Sequence, residues 1–263
     1  MIAAIATRVG EAWALAAGLQ GGLWLIQQRT RNAGIVDVGW ALAFSLVVAA
    51  FAWGAASPLA AWAPLAVIVA AWSLRLGGYL IARGAARSPE EGRYVHLRQR
   101  WGAKATPRFF VFFQVQAALT GVLSTAFVVP FVVAPWDTGW LRALGAAIAV
   151  GGIAGEATAD AQLARWKRDP GHRGQVCDAG LWAYSRHPNY FFEWCVWVGY
   201  AVYGLAFWPY GLIALGGQAL ILASILKVTG IPATEAQALR SKGDLYRRYQ
   251  QTTSAFLPRP RRK

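Results

Sequence analysis

The 263 residues are 56% hydrophobic and 14% charged, with tryptophan at 14 positions, a balance that exceeds an ordinary soluble domain and points to a membrane solvent. The formal charge of +14 would suit nucleic acid, but the basic residues alternate with apolar stretches of about 20 residues, the length that crosses a hydrocarbon core, which argues against a nucleic-acid partner. Cys177 and Cys195 have neither metal-ligand spacing nor the pattern of a disulfide framework, so they read as packing or loop residues and no metal is expected.

Apolar stretches lie near 11–27, 34–54, 59–82, 107–134, 139–163, 189–207 and 209–230, each bounded by charge, proline or glycine. They predict an all-α polytopic membrane protein of seven transmembrane helices, one membrane-embedded domain over residues 1–263. The first stretch has only Arg8 before it, with no charged leader and no clear small-residue cleavage site, and is expected to be a retained span.

Asp37, in "IVDVGWALAF", lies one turn inside the second span, and helical spacing puts Trp40, Phe44 and Val47 on its face. It reads either as a helix-end carboxylate neutralised by an arginine such as Arg75 or as part of a substrate site. Arg75 precedes Arg83 by two helical turns, about 12 Å along the axis, so it is expected to snorkel or to pair with Asp37.

Alternate connections collect the basic residues. Arg29 and Arg31 fall on one side, with seven more between Arg83 and Arg108, then Arg165, Lys167, Arg168, Arg173 and Arg186, then the tail from Lys227; the other side receives Arg8 and Arg142. Cytoplasmic loops collect Lys and Arg, so the N-terminus is expected outside and the C-terminus in the cytoplasm of a bacterial inner membrane.

The fifth span ends with Glu156 and Asp160, four apart and so on one face, where a pair of carboxylates invites cations, ribose hydroxyls or amides. Lys167 follows two turns on between Arg165 and Arg168, a cluster that also reads as the ordinary positive collar of a span.

The sixth span opens with "YSRHPNYFFEWCVWVGY", from Tyr184 to Tyr200. Pro188 suits a first helical turn, and Asn189 and Glu193, four apart, line one side of the helix it starts. An anion arriving there would meet free N–H groups, the positive dipole end, Arg186 and His187. Glu193 would repel a phosphate and needs a donor, such as the carboxamide of a nicotinamide ring, so the constellation suits a molecule with an anionic end and an amide end. The plainer reading makes Arg186 and His187 interfacial charges and Tyr190 and Trp194 belt residues. The sixth and seventh stretches, joined by "FWPYG", read either as one broken helix or as two helices around a tight outer turn at Pro209. In the tail, Tyr246 and Tyr249 share a helical face, and Glu235 before them is placed to close over the same cytoplasmic pocket.

The segments "RLGGYLIARG...EEGRYVHLRQRWG", "DAQLARWKRDPGHRGQVCDAGLWAYSRHPNYFFEW" and "GIPATEAQALRSKGDLYRRYQQTTSAFLPRP" resemble the bacterial membrane proteins related to steroid 5α-reductases. The resemblance runs from about Asp37 to Pro260, and "GLWxYSRHPNYFxE" is its most specific part. Sterol C14-reductases and the isoprenylcysteine and phospholipid methyltransferases are similar at a greater distance, so the block admits NADPH or S-adenosylmethionine.

The resemblance implies a seven-helix enzyme whose cytoplasmic loops and C-terminal half enclose NADPH, with a hydrophobic enone such as a 3-oxo-Δ4 steroid entering from membrane lipid. It implies cofactor contacts at Arg83 and Arg93, Asp160 and Lys167, then Tyr184, Arg186, His187, Asn189 and Glu193, and finally Glu235, Tyr246 and Tyr249. It also implies an acid in the second span, here Asp37 beside Trp40, that polarises the ketone with a tyrosine of the third span. Trp72 stands where that tyrosine would lie, and the proton donor is left open between Tyr79 and Tyr94. No obligate protein partner is expected. The rival readings are an S-adenosylmethionine-dependent methyltransferase acting on a lipid or isoprenylcysteine and a non-catalytic lipid-binding membrane protein.

Overall fold

The structure, a computed structural model, describes residues 1–87, 89–136 and 139–261, and every element among them is helical. The chain divides into two compact units, residues 1–139 with 204–217 and residues 140–203 with 218–263.

In the first unit, α1 (Ile2–Thr30) ends where Arg31 turns left-handed, at φ 54°, and its N–H closes on the Gln27 carbonyl at 2.8 Å. α2 (Ile35–Trp53) follows at once, and Gly34 lies so close to the Ala85 carbonyl that a Cβ would collide with it. α3 (Leu59–Ala82) starts after Pro58, as its fixed φ allows. α4 (Gly92–Trp101) and α5 (Ala105–Leu123) follow, joined by a single 3₁₀ turn. α1 packs on α2 and α5, and α2 on α3. A run of rings fills the core: Phe44 and Phe51 each lie 6.1 Å from Phe127, and Phe51 lies 5.5 Å from Phe131.

In chain order there follow α6 (Trp140–Arg168), α7 (Pro188–Gly204), α8 (Ile213–Ala223), α9 (Ile231–Lys242) and α10 (Asp244–Thr252). In the second unit α6 and α7 approach closely through small residues. A Cβ on Gly152 would lie 2.8 Å from the Val196 amide nitrogen, and one on Gly199 would lie 2.7 Å from the Ala149 Cβ. Small residues that let helix backbones meet are how bundles pack where lipid removes the hydrophobic drive between helices.

Five helical stretches are long and apolar enough to cross a membrane: Ile2–Thr30, Ile35–Trp53, Leu59–Ala82, Gly92–Ala126 and Tyr210–Lys242. Large apolar side chains point outward along them, with Trp53 96%, Val67 68% and Val111 60% exposed, a surface that suits lipid and not water. These are the marks of an integral membrane protein. The predicted spans at 139–163 and 189–207 form helices too, α6 and α7, but neither stands among the five. Two further boundaries differ from expectation. The third connection contains α4, and the seventh stretch passes from α8 through a π-helical segment, Ser224–Val228, towards α9. The "FWPYG" junction separates α7 from α8 through two short 3₁₀ turns, so the two are distinct helices.

Candidate functional site

Two polar centres stand out, each within one unit. The first begins with Asp37 in the first turn of α2, where the helix dipole favours a carboxylate. The Tyr94 hydroxyl donates to Asp37 Oδ1 at 2.9 Å, and the Arg93 guanidinium meets Oδ2. Tyr94 is only 1% exposed because it packs with Ala33, Val36, Phe109 and Phe113. Arg93 lies over its ring, 4.6 Å from the centroid, and the Arg93 Nε also meets Glu91 at 3.2 Å. Glu91 in turn holds Arg83 at 2.9 Å.

The placement of α4 is itself over-determined. Glu90 accepts from the Ala33 N–H at 2.7 Å and from Arg98 at 2.8 Å, and the Asn32 amide donates to the Arg87 carbonyl at 2.6 Å. The connection before α4 is thereby tied to the turn between α1 and α2, which fixes Tyr94 against Asp37. Beyond Asp37 on α2, Trp40, Phe44 and Trp72 form an edge-to-face cluster with centroids 5.2 Å (Trp40–Phe44), 5.2 Å (Phe44–Trp72) and 6.3 Å (Trp40–Trp72) apart. The Trp40 Nε1–H is buried with no partner among the described residues, an open donor on this wall.

The second centre joins the start of α7 to the tail. Arg186 Nε donates to Glu235 Oε1 at 2.7 Å, and its Nη1 donates to the Gln250 carbonyl at 3.0 Å and to the Thr253 carbonyl. Glu235 also meets His187 Nε2 at 3.2 Å, Gln250 Nε2 at 2.7 Å and the Tyr246 hydroxyl at 3.4 Å. Tyr249 donates to the carbonyls of Trp182 and Ser185, and the Ser185 hydroxyl donates to the Phe256 carbonyl at 2.8 Å. Glu235 is thus the hub that clamps α9, α10 and the following segment to the turn before α7. Burial, and next the neighbouring Glu235 carboxylate, raise the Tyr246 phenol far above its ordinary range; burial does the same to Tyr249. Both remain neutral donors across the physiological range.

Next to this clamp, the Asn189 Nδ2 donates to Asp160 Oδ1 at 3.3 Å, while Asn189 Oδ1 is buried and accepts from no described residue. Glu193 Oε1 accepts from the Trp197 indole at 2.8 Å. A nicotinamide carboxamide has the N–H that Asn189 Oδ1 lacks, so these residues fit that group.

Of the sequence-predicted residues, the structure gathers Arg186, His187, Glu235 and Tyr246 into one network, with Tyr249 beside it, and Asp160 with Asn189 into another. Tyr184 and Lys167 are exposed, the former at 51%. Arg83 and Arg93 lie in the first unit, on Glu91 and Asp37. Between the two candidate donors, Tyr94 touches Asp37, whereas Tyr79 lies partly buried on α3. Sequence reasoning missed Glu91 and Gln250, which hold the charged groups of both centres. The spacing of Glu91 eight residues after Arg83 and two before Arg93 was the available signal for the first. Among the described residues no cluster of three His, Cys, Asp or Glu side chains is placed to hold a metal ion.

A family model described as protein of unknown function (DUF1295) matches residues 23–253. The chain belongs to this family. The matched region includes Asp37, Tyr94, Asn189 and Glu235. No curated protein and no solved structure matches the chain.

Proposed function

We propose that this DUF1295 protein is an NADPH-dependent reductase of the C=C bond of a hydrophobic enone, of the 3-oxo-Δ4 steroid type, and that it spans the membrane seven times with its N-terminus outside and its C-terminus in the cytoplasm. The observation that carries the reading is the Tyr94–Asp37 pair, a buried phenol held at 2.9 Å by a carboxylate at the start of an apolar span, beside an indole-rich wall.

Saturating an enone needs one hydride at the β-carbon and one proton at the α-carbon, and NADPH supplies the hydride when bound. The chain's own residues address the oxygen. Asp37 accepts from Arg93 and Tyr94, so it is a positioning group and the donor is Tyr94. On substrate binding the phenol exchanges its acceptor, from Asp37 to the enone oxygen, while Arg93 opposes the negative charge that grows there; a preorganised donor of this kind is commonly worth about 3 kcal/mol of barrier. Trp40, partly exposed and backed edge-on by the buried Trp72, would give a fused-ring substrate an apolar side to face. Asp160 with Asn189 and Glu193 would hold the carboxamide end of the cofactor, and the Arg186–Glu235 clamp would keep that end of α7 in place.

The test is NADPH oxidation by purified protein in detergent, with 4-ene-3-oxo steroids and smaller cyclic enones, and product mass as the second readout. Enone-dependent oxidation with a product two hydrogens heavier is expected. No oxidation across the panel, together with saturable S-adenosylmethionine binding, would replace this reading with methyl transfer.

A further inference from the structure

A cavity of about 310 Å³ lies in the second unit on the tail side of the clamp, lined by Arg186, Arg259 and the Thr252, Thr253 and Ser254 segment that follows α10. Its chemistry is one-sided. Two guanidiniums and three hydroxyl side chains face a space whose lining includes no carboxylate. The nearest acid, Glu235, has its charge committed, because Arg186, His187 and Tyr246 meet one oxygen and Gln250 the other.

Arg186 is the built part of this site. Its side chain is 10% exposed and fixed through Nε and Nη1. Arg259 is anchored by its backbone, whose N–H donates to the Tyr184 carbonyl at 2.9 Å, and its guanidinium meets no described acceptor. A fixed guanidinium, a second guanidinium on a tethered backbone and several hydroxyls match a tetrahedral oxyanion, which accepts many hydrogen bonds and carries charge. The space exceeds a single anion and its walls are polar, so the anion's carrier is hydroxylated.

We propose that this cavity binds the phosphate group of a phosphorylated sugar or polyol, the chemistry shared by a nucleotide ribose phosphate and an inositol lipid headgroup. The site stands on its own lining and does not rest on the reductase reading; the residues after 253 that complete it lie beyond the family match.

Equilibrium dialysis of full-length protein in detergent tests it, with 2′,5′-ADP and a short-chain phosphatidylinositol phosphate as probes and adenosine as the phosphate-free control. At least one phosphate probe should bind saturably at 0.15 M salt, a concentration that screens exposed charge beyond about 8 Å. Arg259→Gln, an exposed position where the backbone tether survives, should weaken it at least tenfold. Arg240→Gln, on the exposed face of α9, should change it less than twofold. Saturation by the nucleotide alone or by the lipid alone names the source. The proposal falls if neither probe saturates, if adenosine binds as well as 2′,5′-ADP, or if the two arginine variants weaken binding equally. Retained 2′,5′-ADP binding without enone reduction would sink the reductase reading and leave this site standing.

Discussion

Asp37 illustrates how a residue's role depends on what reaches it. Alone at the start of a span it would be a carboxylate in need of neutralisation; with Arg93 on one oxygen and Tyr94 on the other it becomes the fixed point of a donor pair. Arg93 is 54% exposed, so its ion pair adds little to stability, whereas the buried phenol is held by both packing and hydrogen bond. Tyr94→Phe keeps the ring in its apolar nest and removes only the hydroxyl. If Tyr94 is the donor, kcat for enone reduction should fall by about 10²–10³-fold, the loss typical of one oxyanion donor, with the KM for NADPH within twofold. An unchanged kcat would remove Tyr94 from the chemistry. Asp37 itself was legible in the sequence, because an acid in an apolar span is costly enough to attract notice. Tyr94 entered only through the resemblance, as one of two candidate donors, and Arg93 as a cofactor contact, since they lie 57 and 56 residues away in a connection that charge alone describes. For the same reason Arg186 read as a free cation when Glu235, 49 residues on, already holds it.

At the level of elements, apolar length placed the helices well and missed α4, whose signal was periodic. Tyr94, Leu97 and Trp101 recur at helical spacing and turn to the core around Phe109, but the surrounding charges hid them from a search for apolar runs. α6 and α7 present the opposite case: their positions were legible, while the surface by which they pack is written in glycine, which a hydropathy reading ignores. Gly151 and Gly152 separate these effects. A side chain on Gly152 would enter the Val196 backbone and the Phe192 carbonyl, whereas one on Gly151 would meet nothing within 4 Å. Gly152→Leu should therefore destabilise the protein by ~3 kcal/mol or prevent its folding, as overpacking against an unyielding backbone does. Gly151→Leu should be neutral or stabilising by up to ~1 kcal/mol, through helix propensity. Thermal unfolding in detergent compares the two, and equal losses would mean that the α6–α7 approach is not a packed contact.

For the molecule as a whole, what decides between five spans and seven is the fate of α6 and α7. Both counts put the two termini on opposite sides, so reporters at the ends cannot separate them. The α6–α7 connection does: it is cytoplasmic if both helices cross and external if neither does. Two physical facts favour crossing. Arg165, Lys167, Arg168 and Arg173 cluster at that connection, and positive charge this close to span ends is retained in the cytoplasm. The 17 residues of α7 extend about 26 Å at 1.5 Å per residue, and the 3₁₀ turn Leu205–Phe207 lengthens them towards the ~30 Å of a hydrocarbon core. The glycine-lined contact with α6 lets the pair insert as a hairpin that hides Glu156, 4% exposed, from lipid. A reporter that fluoresces only in the cytoplasm, fused after Gly174, should therefore light, and alkaline phosphatase at the same position should stay inactive. Fusions after Ser57, in the α2–α3 connection, should give the reverse. Active phosphatase at Gly174 would place α6 and α7 outside the membrane, and the second centre, with the cofactor proposed for it, would then lie on the wrong side to meet cytoplasmic NADPH.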